Sequence, residues 1–187
     1  MTEFRATKMT IILGANGTGK TTMLERILLA NGQKNLVVTP DDAEWQKYDE
    51  VSLTQADDFV YSGIRRHIFA PKKNTGTLER IEQFKKGTMV FDDCRAYLKA
   101  ATTDAIHQLL VRRRQRMVDV IAVGHGFTEV PPVFFTFATD IILFRTADNI
   151  IRRKDCLKDF DIMVAAQRRV NQKAQSDPHY FEVIKFR

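Results

Sequence analysis

Five short apolar runs punctuate the chain: KMTIIL (8–13), NLVVTP (35–40), TMVFDD (88–93), VDVIAVG (118–124) and TDIILFR (139–145). Each is rich in Val, Ile or Phe and alternates little with polar residues, the pattern of a strand covered on both faces. Amphipathic segments between them predict helices over 20–30, 76–86, 103–116 and 156–174. Strands and helices in that order predict an α/β fold whose mainly parallel central sheet is sandwiched by helices. Residues 41–75 carry neither a helical stripe nor a strand alternation, so short elements and loops are expected there. The tail DPHYFEVIKF reads as a turn followed by an edge or terminal strand.

With 187 residues and no repeat, low-complexity tract or Pro/Gly linker, the chain reads as one domain, residues 1–187. Lys and Arg outnumber Asp and Glu by 29 to 23, a net charge of +6 that suits a polyanionic partner but also an ordinary basic protein. Cys94 and Cys156 lie far apart without a CxxC, which argues against a disulfide framework or a zinc site and fits a reducing compartment. No apolar run approaches the roughly 20 residues that cross a bilayer, and MTEFRATK lacks the apolar core of a signal peptide. No membrane span is therefore expected.

The chemistry begins where the first run breaks. Gly14-Ala15-Asn16-Gly17-Thr18-Gly19-Lys20-Thr21 satisfies G-x-x-x-x-G-K-[ST], the P-loop, with a strand before it and a helix after it. Its glycines let successive backbone N–H groups point into one concavity, which the helix N-terminus completes for a β-phosphate. The candidate nucleotide-binding residues are Gly14, Asn16, Gly17, Thr18, Gly19, Lys20, Thr21 and Thr22. Lys20 is expected to reach the β- and γ-phosphates of ATP, and the Thr21 hydroxyl to bind Mg²⁺.

A second Mg²⁺ anchor is normally an acid at the end of a neighbouring buried strand, and TMVFDDCR supplies two. Asp92 is the metal-side candidate. Asp93 is the candidate for orienting or deprotonating a water at the γ-phosphate. Without the P-loop both would read as solvated loop starts. The strand VDVIAVG ends at His125, which either contacts the γ-phosphate or the attacking water or is a hydrogen-bonded loop histidine. Arg112, Arg113, Arg114 and Arg116 precede that strand. They either complement the dipole of a helix C-terminus or include an arginine finger for a neighbouring subunit.

Taken together, ILGANGTGKTTM, MVFDDCRAYL, LLVRRRQRMVDVIAVGHGFTEVP and TDIILFR resemble the HerA/FtsK superfamily of P-loop DNA-translocating ATPases, over roughly Met9 to Arg145. The most similar branches are the genome-packaging ATPases of internal-membrane phages and the Zot-like assembly ATPases of filamentous phages. The resemblance implies a RecA-like (ASCE) P-loop NTPase fold, hydrolysis of ATP with Mg²⁺, and a homo-oligomeric ring that moves or packages viral-type DNA. It further implies a docking partner on a capsid or membrane, and a place in the host cytoplasm or on the virion. By position, His125 stands where the family usually has a glutamine sensor, and Arg114 where it has the finger. Asp92-Asp93 replaces the usual Asp-Glu. Zot-like proteins generally carry a membrane segment, so the packaging type is the better match.

Three other readings compete. A small-molecule (nucleotide-like) kinase would draw on YSGIRRHIFAPKK (61–73) to bind substrate or close a lid. An ABC-type ATPase would need an LSGGQ-like segment where TLERIEQFKKG stands. A nucleotide-dependent regulator with little turnover would suit an Asp in place of the usual Glu.

Overall fold

The computed structural model describes residues 6–40, 43–54, 56–69, 80–96, 98 and 103–186. Seven strands form one sheet: β1 (Met9–Leu13), β2 (Asn35–Thr39), β3 (Ile64–Ile68), β4 (Gly87–Phe91), β5 (Val118–Gly124), β6 (Asp140–Phe144) and β7 (Phe181–Lys185). Their spatial order is β3-β2-β4-β5-β1-β6-β7, parallel throughout except for β7, which pairs antiparallel with β6. Helices α1 (Lys20–Ala30), α2 (Thr103–Arg116), α3 (Pro132–Phe137) and α4 (Phe160–Lys173) cover it.

The unbroken apolar runs now have their reason. Along β1, Met9, Ile11 and Leu13 belong to one buried cluster and Ile12 to another, because successive strand side chains face opposite sides of the sheet. The first face packs α2, α3 and α4 through residues such as Leu110, Phe134 and Met163. The second packs Leu24 and Leu28 of α1, together with Trp45, against Val37, Val90 and Phe144. Among the described residues no helix is long and apolar enough to cross a membrane.

All five predicted strands form, within one or two residues; the acid pair at 92–93 lies in the turn just beyond β4 rather than in the strand. The helices at 20–30 and 103–116 match their predicted bounds. The helix predicted over 156–174 starts only at Phe160, after a 3₁₀ turn (Ile150–Arg153) and a left-handed Asp159 at φ 48°. The helix predicted over 76–86 falls partly outside the described residues; within them it reaches only Ile81 before a turn. β3 is one of the short elements expected in 41–75, where no element type was assigned; the six-residue α3 was not expected. The tail is an edge strand, as its turn and alternation suggest.

A buried polar knot joins α1 to the sheet. Asn35, 1% exposed, donates to the Leu28 carbonyl at 3.2 Å and the Gln33 carbonyl at 2.8 Å, and accepts from Asn31 Nδ2 at 3.0 Å. The Asn31 amide also reaches Thr88 on β4 at 3.0 Å. Asn35→Ala leaves a buried carbonyl without its donor and should cost about 1–3 kcal/mol. The measurement is urea unfolding, where the midpoint should fall at an unchanged slope; an unmoved midpoint would contradict this account.

Candidate nucleotide site

The site lies at the carboxyl ends of the central strands, where the connections from β1 and β5 diverge and a parallel sheet opens a crevice. After β1 the chain turns tightly. Gly14 packs so closely that a Cβ there would stand 2.5 Å from Phe144 Cβ and 2.8 Å from Thr18 Oγ1. Gly17 and Gly19 take positive φ values of 74° and 96°, which glycine adopts without steric cost. Two backbone bonds tie the loop to the sheet, Gly14 N–H to the Gly124 carbonyl at 3.2 Å and Ala15 N–H to the Arg145 carbonyl at 2.8 Å. Thr18, 1% exposed, closes the turn with its hydroxyl on the Ala15 carbonyl at 2.8 Å.

Helix α1 starts from Gly19 with no side-chain cap, so its first N–H groups point into the concavity with no side chain of its own satisfying them. Together with the positive end of the helix dipole they form an anion site. Lys20 is 8% exposed and rests its Nζ on the Ala15 carbonyl at 3.0 Å. Burial pulls its pKa below the usual lysine value, while the charges of Asp92, Glu44 and Asp93 push the other way.

The acids come from the next strands but one. Because β5 lies between β1 and β4, Asp92 and Asp93 face the loop across the width of one strand. A cavity of about 600 Å³ joins them to Asn16, Gly17, Gly19, Lys20, Thr21, Thr22 and His125. Asp92 is 8% exposed, with its backbone N–H on the Val38 carbonyl at 2.9 Å and its Oδ2 accepting the Trp45 indole N–H at 2.7 Å. Asp93 turns the chain at φ 45° and brings its Oδ1 to 3.6 Å from His125 Nε2. Both of those side chains are roughly two-fifths exposed and open to the cavity.

The segment after His125 is firmly backed. Arg153 donates to the carbonyls of Phe127, Thr128 and Val130, and the Asp148 carboxylate accepts from both the Thr128 backbone and its hydroxyl. His125 Nδ1 is buried without a hydrogen-bond partner.

Every residue expected on the nucleotide is therefore gathered here, Gly14 and Thr18 shaping the loop and the others lining the cavity. Arg114 is not. It sits at the end of α2, beside the start of β5, and the seven residues of β5 put about 20 Å between that end and Gly124. Within the cluster, Arg113 is 6% exposed, donates to the Leu110 carbonyl at 2.8 Å and lies over the Phe137 ring at 5.6 Å. Arg114 is exposed.

Three residues of the site escaped sequence reasoning. Glu44 accepts the Thr21 hydroxyl at 2.8 Å, Trp45 holds Asp92, and His179 lies over Gly19 from the turn before β7. Glu44 and Trp45 fall in the stretch 41–75 that showed no pattern, and His179 is far from the P-loop in sequence. Among the described residues no group of three or more His, Cys, Asp or Glu side chains is placed to hold a metal by itself. Thr21 and Asp92, one hydroxyl and one carboxylate, line the same cavity and are oxygen donors of the kind that Mg²⁺ takes alongside phosphates and water.

Burial in this dry corner raises the Asp92 pKa, assisted by the charges of Glu44 and Asp93 and opposed by the Trp45 hydrogen bond. The folded state thus holds the proton more tightly than the unfolded chain. The group's contribution to stability is complete below the ordinary aspartate pKa and is lost as pH rises through the raised one. Asp92→Asn should accordingly raise the melting temperature of the nucleotide-free protein by a few degrees at pH 7, with the gain vanishing toward pH 4. A melting temperature that falls at pH 7 would count against this reading.

No family model matches the chain, and no curated protein matches it. Solved structures do. The genome-packaging NTPase B204 from Sulfolobus turreted icosahedral virus 2, in complex with AMPPCP, aligns at a TM-score of 0.70 and 16% identity, covering 96% of this chain and 97% of that one. B204 from Sulfolobus turreted icosahedral virus, described as a DNA-packaging ATPase, aligns at 0.67 and 17% identity over 95% and 92%. The N-terminal domain of zonular occludens toxin from Neisseria meningitidis aligns at 0.45 and 14% over 75% and 78%. At these identities the likeness concerns architecture: the chain has the P-loop NTPase fold, in the form found in a viral genome-packaging NTPase.

Proposed function

We propose that this protein is an Mg²⁺-dependent ATPase that moves or packages viral-type DNA as a ring of identical subunits. The observation that carries the reading is the pairing of a phosphate cradle with two carboxylates facing it from β4, in a chain matched over 96% of its length by a viral packaging NTPase. The loop amides and Lys20 hold the β- and γ-phosphates. Thr21 and Asp92 would hold Mg²⁺ brought with the nucleotide, which would supply charge neutralisation at the phosphates. Asp93 orients a water toward the γ-phosphorus and accepts its proton as the new P–O bond forms and the bond to the bridging oxygen breaks. His125, within reach of Asp93, feels whether that phosphate is still attached.

The kinase reading loses its lid candidate. Residues 64–68 of that segment are β3, an edge strand paired with β2, where Arg65 is bound to Asp49 and His67 is buried on the Val51 carbonyl; residues 70–73 lie outside the described set. DNA contact by Arg112 and the exposed end of α2 would be made through phosphates, independent of sequence and weakened by salt.

Two experiments test the proposal. Lys20→Ala should abolish tight nucleotide binding, whereas Asp93→Asn should keep binding and lose turnover by about 100-fold or more, measured as phosphate release with and without DNA. Turnover at the parent rate in Asp93→Asn would remove Asp93 from the chemistry. The second concerns the ring. Exposed and far from its own site, Arg114 would serve as a finger only toward a neighbour, and Arg114→Ala should then bind ATP normally but hydrolyse it about a thousandfold more slowly. Mixing it with Lys20→Ala subunits, which keep Arg114, should restore part of the activity. A mixture that forms mixed assemblies yet stays inactive would exclude a finger in trans at this position.

A further inference from the structure

Glu44 and Trp45 are neighbours in the turn after β2, and each holds one of the two side chains expected on the metal. The Glu44 carboxylate accepts the Thr21 hydroxyl at 2.8 Å, and the Trp45 indole N–H donates to Asp92 Oδ2 at 2.7 Å. A hydroxyl has one hydrogen and two lone pairs, so when Glu44 takes the hydrogen the lone pairs of Thr21 are left for a cation. In the same way the indole N–H, with the Asp93 backbone N–H, fixes the orientation of the Asp92 carboxylate, which lines the cavity. We infer that the Glu44-Trp45 turn is a positioning clamp for the divalent cation, presetting the donor orientation of Thr21 and Asp92. The inference rests on the P-loop reading of the site and adds two residues that the motif itself does not contain.

The clamp is braced from behind. Trp45 is 1% exposed and packs in the cluster of α1 residues Leu24 and Leu28. Its ring lies 5.9 Å from that of Tyr48, whose hydroxyl is bound to Glu25 on α1. Burial and the Glu25 carboxylate push the Tyr48 pKa up to about 12, so the phenol remains a donor across the working pH range. The indole thus has little freedom to turn away. A buried indole N–H needs an acceptor, and because the acceptor here is the metal-side acid, the bond acts on that acid's orientation.

The test separates metal from nucleotide. Trp45→Phe keeps a buried ring and removes the N–H. With a non-hydrolysable ATP analogue bound, affinity for Mn²⁺, followed by electron paramagnetic resonance as a stand-in for Mg²⁺, should fall about 10-fold or more, the usual consequence of removing a partner of a ligand. Affinity for the same analogue in chelator should change less than twofold. A merely structural role predicts the opposite split, both falling together or neither. Trp45 is also the only tryptophan in the chain, so the wild-type protein reports on itself. Adding Mn²⁺ to the nucleotide-bound protein should alter Trp45 emission, and Asp92→Asn should abolish that response; this arm stands even where Trp45→Phe fails to fold. Lys20-dependent nucleotide binding with metal affinity and emission indifferent to these changes overturns the clamp alone. A wild-type chain that binds neither nucleotide nor Mn²⁺ overturns the P-loop reading and the clamp with it.

Discussion

The structure turns on one buried ammonium. Lys20 stands at the first position of α1, 8% exposed, on a single backbone carbonyl, in surroundings that disfavour its charge. A lone cation there would be expelled or neutralised. What keeps it is a ring of negative charge, Asp92, Glu44 and Asp93, arriving from two other strands. The acids in turn crowd one another, and Asp92 is driven toward its protonated form. A polyphosphate bound here would relieve Lys20, and the cation proposed above would relieve Asp92. Binding affinity and local instability have the same origin here.

The order of the strands makes this possible. Placing β5 between β1 and β4 sets the acids one strand away from the phosphate loop, on the far side of a cavity of about 600 Å³. Had β4 paired directly with β1, the carboxylates would crowd the loop itself. The same topology sends α2 back to the opposite end of the sheet, so its arginines emerge far from their own nucleotide.

What could be read in the sequence followed from how local each signal was. The P-loop is a contiguous string whose glycines have one conformational explanation, and the five buried strands advertise themselves by apolar content alone. β3 did not, because IRRHI carries Arg65 and Arg66 in its middle, which breaks the apolar run. α3 spans six residues, too short for a helical stripe. The delayed start of α4 follows from Asp159, which turns left-handed just before it and ends any continuous helix from 156. Glu44, Trp45 and His179 reach the site through packing and loop geometry, which no spacing rule contains. Arg113 was indistinguishable from Arg114 in sequence; one turns inward onto Phe137 and the other does not.

The aspartate at 93, where a glutamate is usual in the proteins this chain resembles, has a backbone explanation. The residue sits at φ 45°, in the left-handed region, where a short side chain able to bond locally is tolerated better than a longer one. The tight turn after β4 therefore favours Asp. The missing methylene is a loss of reach only if the backbone stays where a glutamate would have it. With the chain turned this sharply, the Asp93 carboxylate already stands 3.6 Å from His125 Nε2, a separation longer than a direct hydrogen bond and short enough for both groups to meet one water. Residue choice, turn geometry and the histidine at the end of β5 thus form one adjustment: a shorter acid on a tighter turn, with an imidazole brought close on a segment anchored by Arg153 and Asp148.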